Sequence, residues 1–130
     1  MNLKIGEKYN HSFEVTDETV RRFIALSKDE NPLHTDINFA LLRGFSSKVV
    51  HGNIQNCFIS FFVGHVFPIK EILILSQSIK YLKPVYVEDK LELKSEIVNF
   101  SESVGVYELV FSFNRKKELV SRGVLILKKI

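Results

Sequence analysis

The chain has 130 residues, of which 45% are apolar, 25% charged and 12% aromatic, with a net charge of +3. That length predicts one domain spanning 1–130, large enough to bury a core and too small to divide into two. Three prolines, six glycines and a single cysteine exclude a collagen-like or disordered chain, a disulfide scaffold and a cysteine-based zinc site, and they point to a reducing cytoplasm.

Residues 1–9 alternate charge and apolarity and lack the apolar stretch of an export signal. The longest apolar run, 57–67, is interrupted by Ser60, Gly64 and His65 and is well short of the ~20 residues that span a bilayer. The lysines are dispersed rather than clustered with stacking aromatics, which argues against a nucleic-acid partner.

In chain order, 11–15 alternates as a short strand, and Thr16 followed by Asp17 and Glu18 is a helix start, a capping hydroxyl followed by acids at the positive end of the dipole. Val20, Phe23, Ile24 and Ser27 share one face of that helix, which must stop before Pro32. Asp36 caps a second short helix, 37–43, expected to turn Phe39 and Leu42 inward, with Phe45 just beyond, and to stop at Gly44. Residues 52–66 lack proline and are apolar nearly all round, the pattern of a helix enclosed by other structure. Cys57 is expected there as a small buried hydrophobe.

From 71 onward the period changes to two. Residues 71–82, 90–99, 104–114 and 119–128 read as strands, and the short turns at 100–103 and 115–117 make the last three antiparallel neighbours. Such a sheet, preceded by one very apolar helix, predicts an α+β fold with the sheet curled around that helix.

The chemistry concentrates in Ser27-Lys28-Asp29-Glu30-Asn31-Pro32-Leu33-His34, followed by Ala40 and by Val50-His51-Gly52. An aspartate and a histidine five residues apart with a proline between them must be presented by a loop, which Pro32 is expected to hold extended, so that one water could sit between carboxylate and imidazole. Asp29 as a mere helix terminator and His34 as a surface residue is the bland alternative; the combined spacing with His51-Gly52 favours a site. His11 and His65 lack such context and read as structural.

Asp29, Asn31, Pro32, His34 and Ala40 match the signature of the MaoC-like, (R)-specific enoyl-CoA hydratase family, which this sequence resembles over nearly its whole length, through Val50-His51-Gly52 and the stretch from Ser78 to Val85. The resemblance implies a hot-dog fold with an antiparallel sheet wrapped around a central helix. It implies hydration of a trans-2-enoyl thioester to the (R)-3-hydroxyacyl thioester, or the reverse dehydration, with Asp29 and His34 as the acid/base pair. Gly52 would supply an oxyanion N–H, and Asn31, Ser60 and His51 would organise the site. Ser60 also reads as a core hydroxyl bonded one turn back.

By the same resemblance the thioester is carried by coenzyme A or an acyl carrier protein, no cofactor or metal is needed, and the chain forms a homodimer. Lys80 and Lys83 would touch carrier phosphates, or else are solvated strand lysines. Asn53, Gln55 and Asn56 depart from the apolar or small residues usual in relatives, and Lys28 replaces a common glycine. Asn53, Asn56 and Ser60 fall at i, i+3 and i+7, so they are expected to share a polar helix face by the substrate that favours a short or hydroxyl-bearing acyl group; alternatively Asn53 and Asn56 bond to neighbouring loops or across the dimer. A hot-dog thioesterase and a non-catalytic acyl-thioester binding protein are the rival readings.

Overall fold

A computed structural model describes residues 3–130; Met1 and Asn2, which open the alternating N-terminal segment, lie outside the described residues. Strand β1 (Lys8–Glu14) begins three residues earlier than its alternation predicts and leads into helix α1 (Asp17–Ser27). The Thr16 side chain accepts from the Thr19 N–H, as the capping pattern requires. Two short helices follow, α2 (Pro32–Thr35) and α3 (Ile37–Leu42), the second capped by Asp36 as expected.

Pro32 does not hold an extended loop. It occupies the first turn of α2, where its fixed φ suits a helix and its missing N–H costs nothing. In α3 the inward residue is Ala40 rather than Leu42, which is 85% exposed. With only six residues the helix presents too narrow a face to bury both, and the small one fits the contact.

Helix α4 (Asn53–Phe61) runs on into a single π turn, Phe62–Val66, and the chain leaves helix at Phe67, before Pro68. Ile54, Gln55, Ile59, Phe62 and Val63 are buried, whereas Asn53, Cys57, Ser60 and Phe61 are exposed. The helix is therefore enclosed on one side only, and Cys57 is a surface thiol rather than a buried hydrophobe.

The four remaining strands are β2 (Ile72–Tyr81), β3 (Lys90–Ser101), β4 (Val106–Arg115) and β5 (Glu118–Lys129). All pairings are antiparallel, in the order β1-β3-β4-β5-β2, so β3, β4 and β5 are the central neighbours that the short turns predict. Inward-facing Leu91, Leu93 and Ile97 of β3, Tyr107, Leu109, Phe111 and Phe113 of β4, and Leu125 and Leu127 of β5 close over the buried side of α4 and its π turn in one core. The fold is the α+β hot-dog arrangement, a five-stranded sheet around a helix.

Two details of β5 position the site. A register shift between Phe113 and Asn114 makes Val120 an extra residue, so Val120 and Ser121 are both buried. The Val120 carbonyl accepts from the N–H groups of Leu82 and Lys83 and fixes the chain just after β2. Gly123 faces inward where any Cβ would lie 1.9 Å from the Ser78 carbonyl oxygen and 2.6 Å from the Phe111 ring. Arg115 donates to the Pro84 carbonyl and to Asp89, which pins the β2–β3 connection over the same end of the barrel.

Candidate active site

The loop after α1 is built from side chains that each accept the N–H two residues on. Ser27 Oγ accepts from Asp29, Asp29 Oδ1 from Asn31, and Asn31 Oδ1 from Leu33, with Lys28 taking the left-handed conformation that ends α1. Asn31 thereby caps α2, and α2 delivers His34 to the carboxylate. One carboxylate oxygen of Asp29 is spent on this turn, and the other, Oδ2, lies 4.0 Å from His34 Nε2. That separation is too long for a direct hydrogen bond, yet one oxygen atom about 2.8 Å from each can bridge it.

The tautomers follow from the partners. His34 Nδ1 is 2.6 Å from the Val49 carbonyl, which can only accept, so Nδ1 carries the proton and Nε2 presents a lone pair towards Asp29. His51 Nε2 likewise donates to the Asp29 carbonyl at 3.0 Å. His51 is buried between Phe23 and His34, stacked on the latter with ring centroids 3.9 Å apart, and its sealed Nδ1 has no partner among the described residues. One residue thus braces both members of the pair, through the backbone of Asp29 and the ring face of His34.

Single donor atoms of Asp29, His34 and His51 lie within 4.8 Å of one another, close enough to raise the question of a metal. The stacking argues against chelation, because imidazole lone pairs lie in the ring plane and two rings inclined by 26° do not aim theirs at one point. Each ring donates through one nitrogen to a carbonyl, which fixes its tautomer and leaves the lone pair on the other nitrogen. The set suits proton transfer.

Gly52 stands at the head of α4 with helical dihedrals, and among the described residues its N–H has no acceptor. The Tyr81 ring covers it: a Cβ on Gly52 would meet ring carbons at 2.8, 3.0 and 3.2 Å. Burial pushes the Tyr81 phenol pKa up, partly offset by the hydrogen bond from Asn56, so the hydroxyl stays protonated through neutral pH.

Asp29, His34, His51 and Gly52 share a cavity of about 510 Å³ with Asn53, Gln55, Tyr81 and Lys83, a size suited to a small-molecule site. Other residues singled out in the sequence lie elsewhere. Ser60 lines a separate depression with Lys70 and Ile72, and Lys80 lies on the outer sheet face beside Arg122. Asn56 is consumed by neighbours, donating to Asn53 Oδ1 and Tyr81 and accepting from Gln77. Asn53, Asn56 and Ser60 therefore do not form one face above the cavity. Nothing in the sequence singles out Tyr81 or the Val49 carbonyl, and Gln55 stands out there only as a departure, a glutamine between the isoleucines at 54 and 59.

Comparison with known proteins gives a consistent picture. The family model for the MaoC like domain matches residues 2–110. An (R)-specific enoyl-CoA hydratase of Aeromonas caviae is 34% identical over 108 residues, covering 83% of this chain and 81% of the relative. A mitochondrial 3-hydroxyacyl-[acyl-carrier-protein] dehydratase of Arabidopsis thaliana is 28% identical over 121 residues, covering 91% of this chain and 72% of the relative. The solved structure of an (R)-hydratase from A. caviae superposes with a TM-score of 0.90 at 29% identity, covering 98% of each chain.

Proposed function

Because this chain belongs to the MaoC-like domain family, we propose how its own residues carry out the hydro-lyase reaction: it hydrates trans-2-enoyl thioesters to (R)-3-hydroxyacyl thioesters, or runs the reverse dehydration. The observation that carries the assignment of residues is the 4.0 Å gap between Asp29 Oδ2 and His34 Nε2 in the cavity onto which Gly52 opens.

A water bridging the gap attacks C3 of the enoyl group while its proton passes to His34 Nε2. The Nδ1–H held by the Val49 carbonyl makes Nε2 the receiving atom, and the Asp29 carboxylate stabilises the imidazolium. The C2=C3 electron pair moves to form the enolate, whose charge the thioester oxygen carries against the Gly52 N–H at the positive end of α4. His34 then returns its proton to C2, so that H and OH have been added across the bond. His51 keeps the two groups in register, and no cofactor or metal takes part.

Lys83 lines the cavity, which supports a contact between its ammonium and a phosphate of coenzyme A or of an acyl carrier protein. A second copy of the chain would cover the edge strand β2, with its exposed Leu73 and Leu75, and the open face of α4 at Cys57 and Phe61. Among the described residues no helix is long and apolar enough to cross a membrane; the free Cys57 thiol supports a cytoplasmic location.

Loss of the enoyl-thioester absorbance of crotonyl-CoA on adding the protein tests the reading, with free thiol measured in parallel. Hydration without thiol release supports a hydratase. Thiol release would identify a thioesterase, and turnover of neither group a binding protein.

A further inference from the structure

Gln55 is 3% exposed and lies on the core side of α4 between Ile54 and Ile59, the one polar side chain of the helix to be buried there. Its carboxamide oxygen accepts a hydrogen bond from Ser121, itself fully buried and placed by the extra residue in β5. Gln55 also lines the cavity that holds Asp29, His34 and Gly52. Among the described residues its amide nitrogen donates to no protein atom, and it is not among the sealed orphans, since His51 Nδ1 alone is. The side chain is therefore anchored at its oxygen and offers the cavity two N–H groups.

Gln55 follows Gly52 by three residues, roughly 4.5 Å further along the helix axis. With the thioester oxygen at the Gly52 N–H and the double bond at the Asp29–His34 gap, the next atoms into the cavity are those attached to C4. An alkyl chain there would strip the Gln55 amide of water and give it no acceptor, whereas an oxygen on C4 would accept from it.

We infer that Gln55 is a specificity-determining residue that selects enoyl thioesters bearing a neutral hydrogen-bond-accepting oxygen, a hydroxyl above all, on the carbon beyond the double bond. The inference rests on the hydratase reading above. It differs from a polar helix face made by Asn53, Asn56 and Ser60, two of which are bonded to each other and the third of which is elsewhere.

The test compares kcat/KM for trans-4-hydroxy-2-butenoyl-CoA and crotonyl-CoA, which differ by one hydroxyl, in the wild type and in Gln55→Leu. One hydrogen bond to a buried donor corresponds to about tenfold, so the wild type should favour the hydroxylated substrate by about that factor. Gln55→Leu should erase or invert the preference. Because that change orphans the Ser121 hydroxyl, the double variant Gln55→Leu/Ser121→Ala, which removes both partners, guards against a folding failure and should give the same inversion.

Equal rates in the wild type, a preference for crotonyl-CoA, or a Gln55→Leu variant that slows both substrates by one factor would each overturn the inference. The last result would place Gln55 at the thioester itself. Turnover of neither substrate by the wild type would instead bring down the hydratase reading, an outcome distinct from the others.

Discussion

Replacing Gly52 by alanine adds one methyl group at the point where the proposed oxyanion site and the Tyr81 ring meet. The backbone accepts the change, since Gly52 has φ −58° and ψ −35°, ordinary helical values. The methyl would lie 2.8 Å from the Tyr81 ring, so the ring must swing away. It can, because Tyr81 is the last residue of β2 and 45% exposed, and it gives up only the 3.3 Å bond from Asn56. Losing that bond costs about 1 kcal/mol, and alanine at helical dihedrals offsets about that much by restricting the unfolded chain. The variant should therefore fold with a melting temperature within a few degrees of wild type.

Its rate should fall much further. A methyl group beside the Gly52 N–H keeps the thioester oxygen from approaching, and removal of an oxyanion donor costs about 10²- to 10³-fold. Steady-state kcat/KM on crotonyl-CoA, measured with circular dichroism to show folding, checks this. Tyr81→Ala separates the two effects: alone it should cost less than about tenfold, and the double variant should remain about 10²-fold impaired. A folded Gly52→Ala enzyme within about threefold of wild type, against the loss expected on removing an oxyanion donor, or a Tyr81→Ala enzyme as slow as Gly52→Ala, would refute the reasoning.

Three further outcomes are expected. Asp29→Asn and His34→Ala should each cost about 10²- to 10⁴-fold in kcat, and the double variant should be little worse than either, because the two act on one water; steady-state rates on folded protein decide it. Gly123→Ala should destabilise by about 1–3 kcal/mol, read from urea denaturation, because its Cβ meets the Ser78 carbonyl oxygen at 1.9 Å and neither strand can yield freely. Dialysis against a chelator should leave the hydration rate unchanged, since two stacked rings inclined by 26° do not aim their free lone pairs at one ion beside Asp29.

The elements legible in the sequence are those whose signals are local. Thr16 and Asp36 cap helices because a short polar side chain before an exposed N–H acts over three residues, and the alternation in β3, β4 and β5 follows from one buried sheet face. Asp29 and His34 were legible as a pair through the family signature, but the loop's shape was not: Asp29 and Asn31 close local turns, Pro32 starts a helix, and His34 is oriented by the Val49 carbonyl fifteen residues on. What escaped depends on the other side of the contact. Leu42 and Cys57 sit in apolar patterns, but they are exposed among the described residues, and the π turn at Phe62–Val66 answers to the core rather than to any residue in it.

The polar residues of α4 show why counting positions on a helix was not enough. Asn53 and Asn56 do lie one turn apart, and that adjacency is what lets them satisfy each other, with Gln77 and Tyr81 from the β2 edge completing the set. A polar group on a polar face finds partners cheaply and so says little about a ligand. Gln55 lies on the apolar face, where a carboxamide persists only if something offsets its desolvation. Half of that compensation comes from Ser121, 66 residues away on a strand whose inward turn depends on one extra residue, and no periodicity in the helix could announce it. The other half, an acceptor for the amide N–H groups, is supplied by no protein atom among the described residues, and the side chain opens onto the cavity.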